Sequence, residues 1–245
     1  MHPSEKLWKS HSPPGGYPRG VLGVPRPIIG TAFFPGGYGL WNPSGSLPLP
    51  AFPVEGVMVL GHDFHSEAGY NASFARGYES PTQPTWRNLL PVLDRSGISP
   101  TECFFTNVFM GLRAGTATTG EFPGARNADF VDHCERFLWS QIRAQRPSLI
   151  VTLGIKAPEI LGVLSPQLEA WSAGQGLKHL DEVGPVQRDA QFKRIPAFST
   201  VAVALVHPSL RSASVRHRRY KGLAGAKAED LMLSDAREAS SFRQS

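Results

Sequence analysis

The sequence predicts an α/β fold, a three-layer α/β/α sandwich around a central, mostly parallel sheet of four strands. Three observations lead there. Short apolar runs recur along the chain, segments of helical spacing separate them, and polar residues gather just after each run.

The runs are Val57–Leu60, Cys103–Phe105, Leu149–Leu153 and Val201–Val206. Each is continuous and apolar, as a strand covered on both faces must be. Between them, Trp86–Ser96, Ala128–Gln145 and Lys156–Leu164 space their apolar residues three or four apart, as Phe130, Cys134, Phe137, Leu138 and Ile142 do. Strands alternating with helices pair in parallel and carry helices on both sides. Residues 1–55 differ. They are dense in Pro and Gly, as in Ser12-Pro13-Pro14-Gly15-Gly16, and read as an arm ahead of one domain over residues 56–245. Its aromatics (Phe33, Phe34, Tyr38, Trp41 and Phe52) imply that part of the arm packs along the body.

With 41% hydrophobic and 18% charged residues, the 245-residue chain holds enough apolar material for a substantial core. Its two cysteines, Cys103 and Cys134, have no metal-ligand spacing, so no metal, iron–sulfur cluster or other cofactor is expected. No apolar run approaches the ~18 residues of a membrane span, and charges and prolines stand where a signal peptide needs an apolar core. A cytoplasmic monomer with reduced thiols and no membrane partner is the expectation. The net charge of +5 is regional: eight basic and no acidic residues lie between Ala190 and Ala228, against 17 basic and 20 acidic elsewhere. Such a segment can neutralise phosphates, or be an ordinary solvated surface.

Open α/β sheets bind ligands where the carboxyl ends of their strands converge. The residues there are Gly61-His62-Asp63-Phe64-His65, Thr106-Asn107-Val108, Gly154-Ile155-Lys156 and His207-Pro208-Ser209. Singly, each has a bland reading: Asp63 as a turn cap, His207 as a bonded structural histidine, Asn107 as a loop partner, Phe74 as a core aromatic. Their order along the chain resembles the uracil-DNA glycosylase superfamily. Gly61–His65 corresponds to that family's Gly-Gln-Asp-Pro-Tyr loop and His207–Ser209 to its His-Pro-Ser loop. Phe74 resembles the base-stacking Phe, Pro81-Thr82-Gln83-Pro84-Thr85 the proline-rich DNA-backbone loop, and Asn107 the base-reading Asn. The resemblance spans roughly Gly56 to Tyr220.

It implies a monofunctional DNA glycosylase of base excision repair, which flips uracil or a related deaminated base out of DNA and hydrolyses its N-glycosidic bond. A base within a duplex must be extruded before it can be read. By this resemblance Phe74 stacks on the base and Asn107 matches the N3–H and O4 of uracil. His207 donates to O2 as charge builds there. Asp63 positions water and stabilises the positive sugar. Leu210 fills the gap left in the duplex, while Pro84, Thr85, Ser209, Arg211, Arg216, Arg218 and Arg219 contact the DNA backbone. His62 replaces the family's Gln, and Phe64-His65 replaces Pro-Tyr, altering the wall that excludes the 5-methyl group of thymine. His62 and His65 are therefore counted as base-binding. That altered motif also motivates a non-catalytic DNA-binding module on the same fold. A nucleotide-binding α/β protein is disfavoured, because no Gly-x-Gly-x-x-Gly turn or phosphate loop follows the first strand.

Overall fold

A computed structural model describes residues 2–24, 51–76, 79–173 and 176–242. In chain order its helices and strands are α1 (Pro3–Trp8), β1 (Val21–Leu22), β2 (Val57–Gly61), α2 (Glu67–Arg76), α3 (Pro84–Arg95), β3 (Cys103–Asn107), β4 (Leu112–Arg113) and α4 (Ala128–Gln145). Then follow β5 (Leu149–Leu153), α5 (Lys156–Leu164), α6 (Gly176–Val183), β6 (Val186–Phe192), β7 (Ile195–Leu205), α7 (Arg211–Ser214), β8 (Arg219–Tyr220), β9 (Leu223–Ala224) and α8 (Gly225–Ser241).

The central sheet has the order β3-β2-β5-β7-β6, with the first four strands parallel. These four are the strands expected from the apolar runs. The fifth, β6, corrects the expected count of four: it pairs antiparallel with β7 at the sheet edge. Its sequence, Val-Gln-Arg-Asp-Ala-Gln-Phe, is largely polar and only Ala190 and Phe192 are buried, so it lacks the apolar run that marks a central strand.

Side chains alternate across a strand, so each interior strand feeds two cores. Met58, Leu60, Phe104 and Ile150 face one side, where α4 and α5 bring Phe130, Phe137, Ile142, Ala157 and Leu161. Val57, Val59, Phe105, Val151 and Val203 face the other, covered by Trp86, Leu89 and Leu93 of α3 and by Ala228, Met232 and Leu233 of α8. Two helical layers thus enclose the sheet.

The N-terminal segment joins the first core through Leu7, Val21 and Val24, and Phe52 is buried against Phe104. Strand β1 pairs antiparallel with β4, with Val21 opposite Arg113. The remaining arm aromatics, Phe33, Phe34, Tyr38 and Trp41, lie outside the described residues.

Candidate active site

Parallel register brings the four strand ends together. Gly61 of β2 lies beside Asn107 of β3, and Leu153 of β5 beside Leu205 of β7. The loops leaving these ends enclose a cavity of about 540 Å³, within the usual range of small-molecule sites. Its lining includes His62, Asp63, His65, Asn107 and His207, with Pro84, Thr85, Ser209 and Leu210 around them. One space therefore collects nine of the residues singled out from the sequence.

Asp63 is held from several directions. The loop after β3 continues to pair with the loop after β2, through Val108 N–H to the Gly61 carbonyl (3.0 Å), Phe109 N–H to His62 (2.9 Å) and Arg113 N–H to His65 (3.0 Å). This zipper delivers Arg113, which is 4% exposed, to Asp63. Arg113 Nη2 donates to Oδ2 at 2.9 Å and Nε to Oδ1 at 3.3 Å. His62 Nδ1 meets Oδ2 at 2.9 Å, and the His65 backbone N–H donates to Oδ1 at 3.1 Å. Burial pushes the Asp63 carboxyl up, but the hydrogen bonds and charges of His62 and Arg113 outweigh it and hold it at about 2. Arg113 spends its other N–H groups on the carbonyls of Thr119, Gly120 and Glu121, so the same side chain pins the cavity's 118–120 wall.

His207 is built differently. With Nδ1 accepting from the Ser209 backbone N–H at 3.3 Å and from the Ser209 hydroxyl at 2.8 Å, the ring proton sits on Nε2. Burial pushes this imidazole below its ordinary value, so it is neutral at neutral pH. The loop is anchored at both ends: Asn88 Nδ2 donates to the Pro208 carbonyl at 2.8 Å, and buried Glu229 of α8 accepts the Val206 N–H at 2.5 Å. Gly154 lies close beneath. A Cβ there would meet the His207 Cβ at 3.2 Å, and its φ of +83° already favours glycine.

Asn107 is 2% exposed, and its Nδ2 has no hydrogen-bond partner. His65 has φ +82°, and its ring lies over Gly69, where an added Cβ would come within 2.1 Å of Nδ1. Burial lowers its pKa, the Asp63 charge opposing this. Leu210 is 58% exposed at the mouth.

Five residues named from the sequence lie outside the cavity lining. Phe74 does not line the cavity: it is 38% exposed and stacks on Tyr70, which does line it. The helical period explains this. Gly69, Tyr70 and Ser73 of α2 face inward, and residue 74 turns a further ~100° away. The aromatic walls are instead Phe64, Tyr70 and Trp86. Arg218 is wholly buried, bonded to Asp181 (2.8 Å) and to the Ala204 carbonyl (2.8 Å), so no part of its guanidinium reaches a phosphate. Arg211 is 15% exposed and paired with Glu229 and Asp230. Arg216 and Arg219 remain exposed beside this loop.

Sequence reasoning missed Arg113, Glu229 and Glu79. Arg113 is the lone cation ending the apolar run Val108-Phe109-Met110-Gly111-Leu112, a signal that was there to be read. Glu79 lines the cavity; burial pushes its carboxyl up to about 7, against hydrogen bonds from Trp86 and Ser73.

None of the described helices is long and apolar enough to cross a membrane. A search of curated proteins returns no significant match. The model of the uracil DNA glycosylase superfamily matches residues 57–228, which includes β2, β3, β5, β7 and all the strand-end loops. The match covers most of the chain, and with it comes a DNA glycosylase-type function acting on DNA: the protein belongs to the uracil DNA glycosylase superfamily.

Proposed function

We propose that the protein excises uracil, or a closely related deaminated base, from DNA by hydrolysing the N-glycosidic bond. The observation that carries this is the buried, unpartnered Nδ2 of Asn107 in a cavity that also holds an ionised carboxylate and a neutral imidazole. A buried donor without a partner costs about 1–3 kcal/mol, recovered when a ligand supplies an acceptor. The O4 of an extruded uracil is such an acceptor, whereas cytosine offers a second donor at that edge.

The roles follow from the chemistry. As the bond from C1′ to the base breaks, negative charge gathers on the base and positive charge on the sugar. The Nε2–H of His207 is a donor fixed in place before the charge appears, so it favours the transition state over the bound substrate. Asp63 supplies the compensating negative charge for the sugar. Tyr70 or Phe64 offers a face for stacking. Leu210 at the mouth suits the gap in the duplex, and Thr85 with the N-terminus of α3 suits a phosphate. Arg216 and Arg219 suit flanking phosphates.

The test is release of free uracil from single- and double-stranded oligonucleotides, read by chromatography. Release with an abasic strand left behind is expected. Salt-sensitive binding without release would leave a DNA-binding module in its place.

A further inference from the structure

Asp63 has no lone pair to spare. An ionised carboxylate has about four acceptor positions, and here four donors fill them: His65 N–H and Arg113 Nε on Oδ1, His62 Nδ1 and Arg113 Nη2 on Oδ2. A water could bond to Asp63 only by displacing one of them. The same contacts fix the state of His62. Because the carboxylate only accepts, Nδ1 must carry a proton, and in the neutral ring Nε2 keeps its lone pair. Phe109 and Phe122 clamp the imidazole edge-on, with ring centroids 5.1 and 6.3 Å away, so it cannot easily turn. Nε2 has no partner among the described residues, and His62 lines the cavity.

His207 shows the opposite tautomer in the same cavity, with Nδ1 accepting and Nε2–H donating. The geometry points to His62 as the general base of the excision reaction, taking a proton from the attacking water at Nε2 while Asp63 fixes its tautomer and Arg113 fixes Asp63. This rests on the glycosylase reading above. A water O–H bond breaks with its proton passing to His62, and the oxygen's electron pair forms the bond to C1′. The bond from C1′ to the base breaks with its electron pair moving to the base, whose O2 His207 stabilises. The imidazolium of His62, facing the Asp63 anion, then releases its proton to solvent. The charged and titratable groups around His62 are Asp63 on its own loop, Arg113 across the zipper, and His65, His207 and Glu79 on the cavity wall.

Two measurements on the full chain test this. In ¹⁵N NMR of the free protein, His62 shows a protonated Nδ1 and a bare Nε2; a protonated Nε2 in the neutral ring overturns the proposal whatever the activity. In single-turnover uracil excision, a base that must accept a proton makes the wild-type rate fall on the acid side. His62→Gln, which keeps a donor for Asp63, lowers the rate by about 100-fold and flattens that limb, while its affinity for uracil-containing DNA is retained. Because His65 and His207 are present in both proteins, the difference between the two profiles belongs to His62. A variant with the wild-type rate and acid limb overturns this proposal alone, whereas a wild type inert on every uracil strand removes the glycosylase reading and His62's role with it.

Discussion

The two walls of the cavity are built on opposite principles. On the Asp63 wall the buried charges are satisfied in advance: the carboxylate has four donors, and Arg113 bonds three loop carbonyls besides. On the wall made by Asn107 and His207, the buried amide nitrogen has no hydrogen-bond partner and the imidazole Nε2 makes no hydrogen bond to the described residues. Satisfied groups stabilise the fold. Unsatisfied ones wait for a ligand. Substitutions on the first wall should therefore cost stability first, and those on the second should cost activity with the fold intact.

The largest effect is expected where buried charge loses its partner. Arg113→Ala strips Asp63 of its buried guanidinium and two of its four donors, and lowers stability by about 3–5 kcal/mol in chemical denaturation. The same applies to Glu229→Gln, which removes the negative charge between Arg211 and Arg218. Asp63 also sets an acid limit. Its folded value of about 2 lies below its ordinary 3.8, so its contribution is complete above the ordinary value and lost as pH falls towards 2. Arg113→Lys, losing the bidentate fork, moves that loss to higher pH in acid melts.

On the open wall, His207→Ala should slow single-turnover excision by about 10²–10³-fold with the melting temperature nearly unchanged. Asn107→Ala should lower kcat/KM by roughly 10–100-fold, equivalent to one lost buried hydrogen bond, and should leave stability unchanged or raised. If Asn107→Ala destabilised the protein as much as Arg113→Ala, the distinction between the walls would collapse. Outside the cavity, Arg216→Ala or Arg219→Ala should each reduce the salt slope of DNA binding by about 0.9 while the protein stays folded. The buried Arg218 predicts the reverse order, with stability lost first. Glu79→Gln is the smallest: above pH 7 it removes a half-buried charge and should raise the melting temperature by roughly 2–4 °C. Below about pH 4.5 the wild-type carboxyl is protonated in both states and the difference fades.

What was legible in the sequence follows the same division. Strands buried on both faces announce themselves as apolar runs, so β2, β3, β5 and β7 were readable, as were the helices α3, α4 and α5 between them. An edge strand such as β6 carries polar residues on its open side and leaves no run to find. Helix α8 carries a stripe, Ala228, Met232, Leu233 and Ala236, that begins where the basic stretch ends. Residues at strand ends were legible because topology alone places them in one space, which is why Asp63, Asn107 and His207 converge. Phe74 and Arg218 were not, since their direction depends on helix phase and on partners such as Asp181 and Glu229 that are distant in sequence. Arg113 stands between the two groups: the lone cation ending an apolar run is visible in the sequence, but only the pairing of two loops shows that it reaches Asp63.

The most direct measurement of the central claim is a crystal structure of the His207→Ala protein with a uracil-containing duplex. The account predicts the uracil extruded into the cavity, with its O4 about 2.9 Å from the Nδ2 of Asn107. A uracil still stacked in the helix, or an extruded base whose edge faces away from Asn107, would contradict it.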